Sequence, residues 1–177
     1  MHPLHEKVLK MIECATEGMN EEQLLHHESD KWSAATILEH LSMAYSGTAR
    51  AMQKCAEAGK PMGDVPSAKQ KVVDFVVLDL KYFPEGRKAP KQVTPTGSLG
   101  GMEAVTSIKK SLAAMDDAWQ ACSVRVGSAG YLANHPVLGP LKIDQWPKFH
   151  FVHSRHHMRQ IDSIRSKLKA RGGAASA

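Results

Sequence analysis

Long apolar runs are missing from this 177-residue chain. Nothing approaches the ~18 uninterrupted apolar residues of a bilayer-spanning helix. The opening segment, MHPLHEKVLKMIECATEG, scatters charges where a signal peptide needs an apolar stretch of ~7 residues or more, so the expected compartment is the cytoplasm. Cysteine is scarce as well: Cys14, Cys55 and Cys122 are odd in number, far apart and in no CxxC arrangement. That excludes a disulfide framework and a thiolate zinc knuckle, and the three read as small buried core residues. Dense charge of one sign is also rare. The formal net charge is +5, yet Lys and Arg are spread along the whole chain. The one cluster, Arg165, Lys167, Lys169 and Arg171, falls at the end of a predicted helix, where cations suit the helix dipole. It reads as a solvated helix end, and neither nucleic acid nor a membrane surface is expected as a partner.

Hydrophobic residues make up 42% of the chain, enough for one sizeable core at a length typical of one domain. We expect a single helical-bundle domain over residues 1–171 and a disordered GGAASA tail over 172–177. Leu4, Val8, Met11, Ile12 and Ala15 recur at helical spacing and predict a helix over 3–18, closed by Gly18. A loop containing Asn20 and a short turn at EEQLL follow. Ser33 is a plausible N-cap for a helix over 33–58, carried by Ile37, Leu38, Leu41, Ala44, Ala51, Met52 and Cys55 and stopped by Gly59-Lys60-Pro61. In 68–83, AKQKVVDFVVLDLKYF, the β-branched Val72, Val73, Val76 and Val77 would suit a strand. Its length and the charges at 69, 71, 74, 79 and 81 favour helix.

Prolines and glycines predict a long exposed loop over 84–101, of the kind that forms lids and cavity mouths. Val105, Ile108, Leu112, Met115 and Trp119 mark a helix over 102–122, and 123–142 reads as irregular. A last helix starts near Ile143 or Asp144, tolerates Pro147 in its first turn and runs to about Ala170. No segment is convincing as a strand. The fold class is therefore all-α: an up-down four-helix bundle with additional short helices and a long irregular loop.

The last helix carries the densest chemistry. FHFVHSRHHMRQI, residues 149–161, holds His150, His153, His156 and His157. At ~100° per residue, His150, His153 and His157 fall within roughly 60° of one another, and His156 lies some 60° beyond. Their face continues through Trp146, Ile161, Ile164 and Leu168, so it packs inward. Buried imidazoles destabilise by ~1–3 kcal/mol each unless their nitrogens find partners, and a shared divalent metal is one such partner. The i, i+4 pair His153 and His157 has chelating geometry. Alone, it fits hydrogen-bonded core or surface histidines better than a metal site. His40 shares the inward face of its own helix with Ile37, Ala44, Gly47 and Ala51, and beside His153 and His157 it reads as a third ligand. Three neutral imidazoles with open positions form a catalytic rather than a closed structural site.

Gln160, one turn beyond His157, reads equally as a hydrogen-bond partner of a ligand imidazole or bound water and as a solvent-facing polar residue. His150 reads as an alternative ligand or a nearby acid/base. His135, in a loop before Pro136, reads first as a loop histidine with no role and second as lining the pocket mouth. Glu39 points about 100° from His40 and is expected at the surface. Trp32, Trp119 and Trp146 read as packing residues, and nothing in the spacing of Tyr45 or Tyr131 places a phenol at the site.

Trp32-Ser33, then Ile37-Leu38-Glu39-His40-Leu41, then His153-Ser-Arg-His156-His157-Met-Arg-Gln160, resemble the DinB/YfiT-like superfamily of four-helix-bundle metalloproteins. His135-Pro136-Val137-Leu138-Gly139-Pro140-Leu141 before Trp146, with Phe83-Pro84 and Thr94-Pro95, looks like an uncharacterised branch of it. The resemblance covers about residues 30–165. It implies His40, His153 and His157 as metal ligands, with His156 outside the set. It also implies a bundle with zinc or nickel at one end (iron, manganese or copper also suit three histidines), a homodimer, and chemistry on a small molecule, in some relatives a low-molecular-weight thiol. The expected function is that of a metal-dependent thiol transferase, with no further catalytic residue assigned. The alternatives are a metal-dependent hydrolase and a non-catalytic metal-binding or stress-related module.

Overall fold

Local capping signals start the helices, and distant partners hold them in place. The computed structural model describes residues 1–81, 89–135 and 138–174. Pro3 opens α1 (Pro3–Thr16). Asn20 forms a reciprocal capping box with Gln23 at the head of α2 (Glu21–Leu25), the two side chains accepting each other's backbone N–H at 2.9 and 3.0 Å. Ser33 Oγ accepts the Thr36 N–H at 3.1 Å to start α3 (Ala34–Ala58), and Gly59 ends it in the left-handed region at φ +65°. Ser67 caps α4 (Ala68–Asp74) in the same way. The start of α5 (Gly101–Val126) is capped from elsewhere: the Glu21 carboxylate accepts the Gly101 and Met102 N–H groups at 2.6 and 2.9 Å. An anion at a helix N-terminus satisfies free donors and complements the dipole, so this contact docks α2 on α5. The last helix is α6 (Gln145–Ala174).

The all-α architecture is that of the sequence reading, with corrections. Residues within 123–142 are not all irregular: Tyr131–His135 and Gly139–Lys142 form an antiparallel hairpin, β1 and β2, with an irregularity between Tyr131 and Ala133. Its strands are short, and Pro140 cannot donate to a ladder, so period-two patterning gave no signal. The third predicted helix does not continue unbroken from α4. It widens into a π-helical turn, Phe75–Asp79, which buries Val77 and Leu78 and leaves Phe75 and Leu80 exposed. Of the predicted loop, 84–88 lies outside the described residues, as does the Phe83-Pro84 pair. From 89 to 100 the chain is irregular apart from a 3-10 turn at Lys91–Val93. Helix α6 runs on to Ala174, into the segment read as a tail, and 175–177 lie outside the described residues. Cys14 is exposed, and only Cys55 and Cys122 are buried. Among the described residues no helix is long and apolar enough to cross a membrane.

One core joins α1, α3, α5 and α6 through Val8, Ile12, Leu38, Leu41, Ile108, Leu112 and Ile161, each at most 1% exposed. Burying each such side chain contributes about 1.5–3 kcal/mol. Beside it lies a polar cluster that the sequence did not suggest. The Asp116 carboxylate accepts from His5 Nδ1 at 2.6 Å, the His2 backbone N–H at 2.8 Å and Gln120 Nε2 at 2.6 Å. Burial pushes the Asp116 pKa up, but these donors outweigh it and hold the carboxyl below the usual range. His5 and Asp116 are 111 positions apart, so no local pattern signals them.

Gly101 tests the α2–α5 contact. A Cβ there would lie 2.6 Å from Leu24 Cβ and 3.2 Å from the Glu21 carbonyl oxygen. Gly→Ala inside a helix ordinarily stabilises by about 0.5–1 kcal/mol. Overpacking reverses that sign here, and Gly101→Ala is expected to destabilise by about 1–3 kcal/mol in urea unfolding. A raised unfolding midpoint would contradict the packing described.

Candidate metal centre

Helix α3 carries His40 on the stripe that includes Ile37 and Leu41, and α6 carries His153 and His157 on the stripe that includes Phe149 and Ile161. Packing α3 against α6 therefore buries all three imidazoles together, at 3%, 7% and 7% exposure. His153 Nε2 lies 3.2 Å from His40 Nε2 and 3.1 Å from His157 Nε2. Two nitrogens bound tetrahedrally at the usual zinc–imidazole length would be about 3.3 Å apart. The three donor atoms all lie within 4.8 Å of one another, so the cluster could hold a metal ion.

The outer nitrogens settle which atoms face inward. His40 Nδ1 lies 2.7 Å from the Val93 carbonyl oxygen, and His157 Nδ1 lies 2.8 Å from Gln160 Oε1. Both oxygens only accept, so both Nδ1 atoms carry hydrogen. Each of these neutral rings then turns a lone pair at Nε2 toward His153, and a proton on His153 Nε2 can serve only one of them. A cation serves all three. Burial lowers the pKa of each ring, and the neighbouring imidazoles lower those of His153 and His157 further, His157 to about 3. The site is thus uncharged at neutral pH and suited to coordination. The other end of the Gln160 amide, Nε2, lies 3.2 Å from His156 Nε2.

The remaining candidates take separate places. His150 does not join the cluster: its Nε2 pairs with Thr48 Oγ1 at 3.0 Å and its ring packs 5.2 Å from Tyr45. The Tyr45 hydroxyl meets Ser154 Oγ at 2.6 Å, and burial raises its pKa, which makes it a core hydrogen bond instead of a site phenol. His156 packs 5.1 Å from the His157 ring. His135 sits at the end of β1, its Nδ1 accepting the Leu138 N–H at 3.1 Å and its ring 4.4 Å from Phe149. Burial lowers the pKa of His135 to about 4.

Trp32 is half-buried, with its ring 5.2 Å from His40. It helps line a cavity of about 1270 Å³ whose walls include Ala44, Val77, Leu138, Phe149 and the histidine cluster. That volume exceeds the ~300–1,000 Å³ of ordinary small-molecule pockets. Lys167 and Arg171, expected to be simply solvated, reach the Glu28 carboxylate at 2.8 and 3.2 Å. Glu39 is a correction: it is 7% exposed, and its carboxylate accepts the Thr96 and Gly97 N–H groups, both at 2.9 Å, and Thr96 Oγ1 at 2.8 Å. The wheel placed it outside because its partners belong to a loop 57 positions away.

The buried histidines carry a pH signature. His135 is neutral in the fold down to about pH 4, whereas in the unfolded chain it protonates near the ordinary histidine value of about 6.5. The unfolded state binds the extra proton between those values, so this contribution to stability is present above about pH 6.5 and lost as pH falls toward 4. The melting temperature is expected to fall over that range, and His135→Gln should flatten the acid arm. An unchanged slope would show that His135 titrates normally in the fold.

A family model described as the DinB superfamily matches residues 4–161. No curated protein and no solved structure matches the chain. The family match takes in both helices that supply the histidine cluster and covers most of the sequence: the chain belongs to the DinB superfamily.

Proposed function

We propose that His40, His153 and His157 bind one divalent metal through Nε2, and that the protein is a metal-dependent enzyme transferring a small thiol to an electrophile held in the adjoining cavity. The observation that carries the reading is the convergence of three buried Nε2 atoms, with the Nδ1 hydrogens of His40 and His157 committed to oxygen acceptors. Zinc or nickel suits this donor set best, and iron, manganese or copper could also occupy it. A metal bound there would act as a Lewis acid, lowering the pKa of a coordinated thiol so that the thiolate is available at neutral pH.

The chain's own residues supply the rest. Val93 and Gln160 hold two of the rings at fixed angles, as hydrogen-bond partners of ligating histidines do. Ala44, Val77, Leu138 and Phe149 present apolar wall to the electrophile and limit water around the reacting atoms. Hydrolysis is the second reading, and a carboxylate free to act as base beside the centre would favour it. Glu39 is engaged by three donors of the 96–97 turn and Glu28 by Lys167 and Arg171, which takes these two carboxylates out of that role. A non-catalytic metal-binding module is the third.

Metal content of untagged protein by inductively coupled plasma mass spectrometry is expected to show about one ion per chain, lost in His40→Ala and in His157→Ala. No metal after reconstitution with zinc or nickel would remove the chemical basis of all three readings. With metal present, consumption of an electrophile that requires added thiol supports transfer, and consumption without thiol supports hydrolysis. Chelation that lowers the melting temperature while neither reaction occurs supports the non-catalytic module.

A further inference from the structure

The turn that meets His40 is gripped by the residue beside it in sequence. Glu39 and His40 are neighbours on α3, so their side chains diverge by about 100°. Both nevertheless reach one short segment. His40 Nδ1 donates to the Val93 carbonyl, and Glu39 accepts from Thr96 N, Thr96 Oγ1 and Gly97 N. Within the segment, the Val93 N–H donates to the Pro90 carbonyl, the Thr94 N–H to the Lys91 carbonyl, and Thr94 Oγ1 to the Pro90 carbonyl. These bonds shape the turn but do not anchor it. Among the described residues, the hydrogen bonds joining residues 91–98 to the helices come from Glu39 and His40 alone.

We propose that Glu39 is a positioning residue of the metal centre: by pinning the 96–97 turn it holds the Val93 carbonyl against His40 Nδ1, which keeps His40 Nε2 directed at the metal. The proposal rests on the metal-binding reading above. A buried carboxylate accepting three hydrogen bonds makes a stronger anchor than a neutral pair, because charge-assisted bonds are roughly twice as strong as neutral ones. Gly97 sits at φ +70°, where a side chain would be strained, so the turn is shaped to bring its N–H to Glu39 Oε2. Without this anchor, the carbonyl that orients His40 belongs to an irregular segment with no other hydrogen bond to the bundle among the described residues. The imidazole then loses its fixed tautomer and angle. Glu39→Gln is the sharpest single change, since its amide can accept at one end only and turns an N–H₂ toward a backbone donor at the other.

The test measures zinc affinity by competition with a chromophoric chelator, and the visible absorption of the cobalt-loaded protein. It compares the unmodified chain with Glu39→Gln, Thr96→Val and Asp116→Asn. Glu39→Gln should weaken zinc binding by about tenfold or more and alter the cobalt bands, the scale of loss seen when hydrogen-bond partners of ligating histidines are removed. Thr96→Val, which deletes one of the three donors from the loop side, should fall between, and it keeps the test open if Glu39→Gln fails to fold. Asp116→Asn disturbs the separate His2, His5 and Asp116 cluster and should lower the melting temperature with zinc affinity unchanged. Unaltered affinity and unaltered bands in Glu39→Gln, or in Thr96→Val alone if only that variant folds, would overturn the proposal. Equal weakening by Asp116→Asn would also overturn it, by reducing the effect to general stability. An unmodified chain that binds no metal would instead overturn the metal reading, and this proposal with it.

Discussion

Three imidazoles meet nitrogen to nitrogen between α3 and α6, and the surrounding structure is arranged to make that tolerable. Buried polar atoms are costly unless paired, and lone pairs facing one another repel. The outward nitrogens of His40 and His157 are therefore satisfied by oxygen acceptors, one from a loop and one from the next turn of the same helix. Those pairings decide the tautomers, the tautomers decide what faces the centre, and the centre is left with a demand that a cation meets. A core built only for stability would place apolar side chains at these positions, as it does at Leu38, Leu41 and Ile161.

Much of this could be read in the sequence because it depends on local periodicity. The helix bounds follow from apolar spacing and from caps such as Ser33 and Gly59, and the shared face of His153 and His157 follows from helical geometry. That His40 joins them, 113 positions away, was read from its place on the inward face of its own helix, and the family resemblance agreed. What escaped was settled by tertiary partners. Glu39 was placed at the surface by its angle and is buried by the loop that covers it. The Asp116 cluster joins the first turn of α1 to α5 with no motif on either side. The hairpin of β1 and β2 was hidden by its brevity and by Pro140, and the π turn after α4 by a valine run that suits either kind of element.

The two ends of α6 serve the same cavity by different means. Its first half supplies Phe149, His153 and His157 to one wall through burial and packing. Its second half reaches back through Lys167 and Arg171 to Glu28, within a segment, 26–32, whose His26, Lys31 and Trp32 also line the cavity. His157 and Lys167 are ten residues apart on one helix, about 15 Å along its axis, so a single element carries both contacts.

Glu28 meets three cations, Lys31, Lys167 and Arg171, and all four groups are at least partly open to solvent. Ion pairs of this kind are screened as ionic strength rises, while contacts inside the bundle are screened far less. Dissolved salt would therefore loosen the tie between α6 and the 26–32 segment and leave the histidines where they are. The hold of α6 on the 26–32 segment should respond to the ionic medium, and the geometry of the histidine cluster should not.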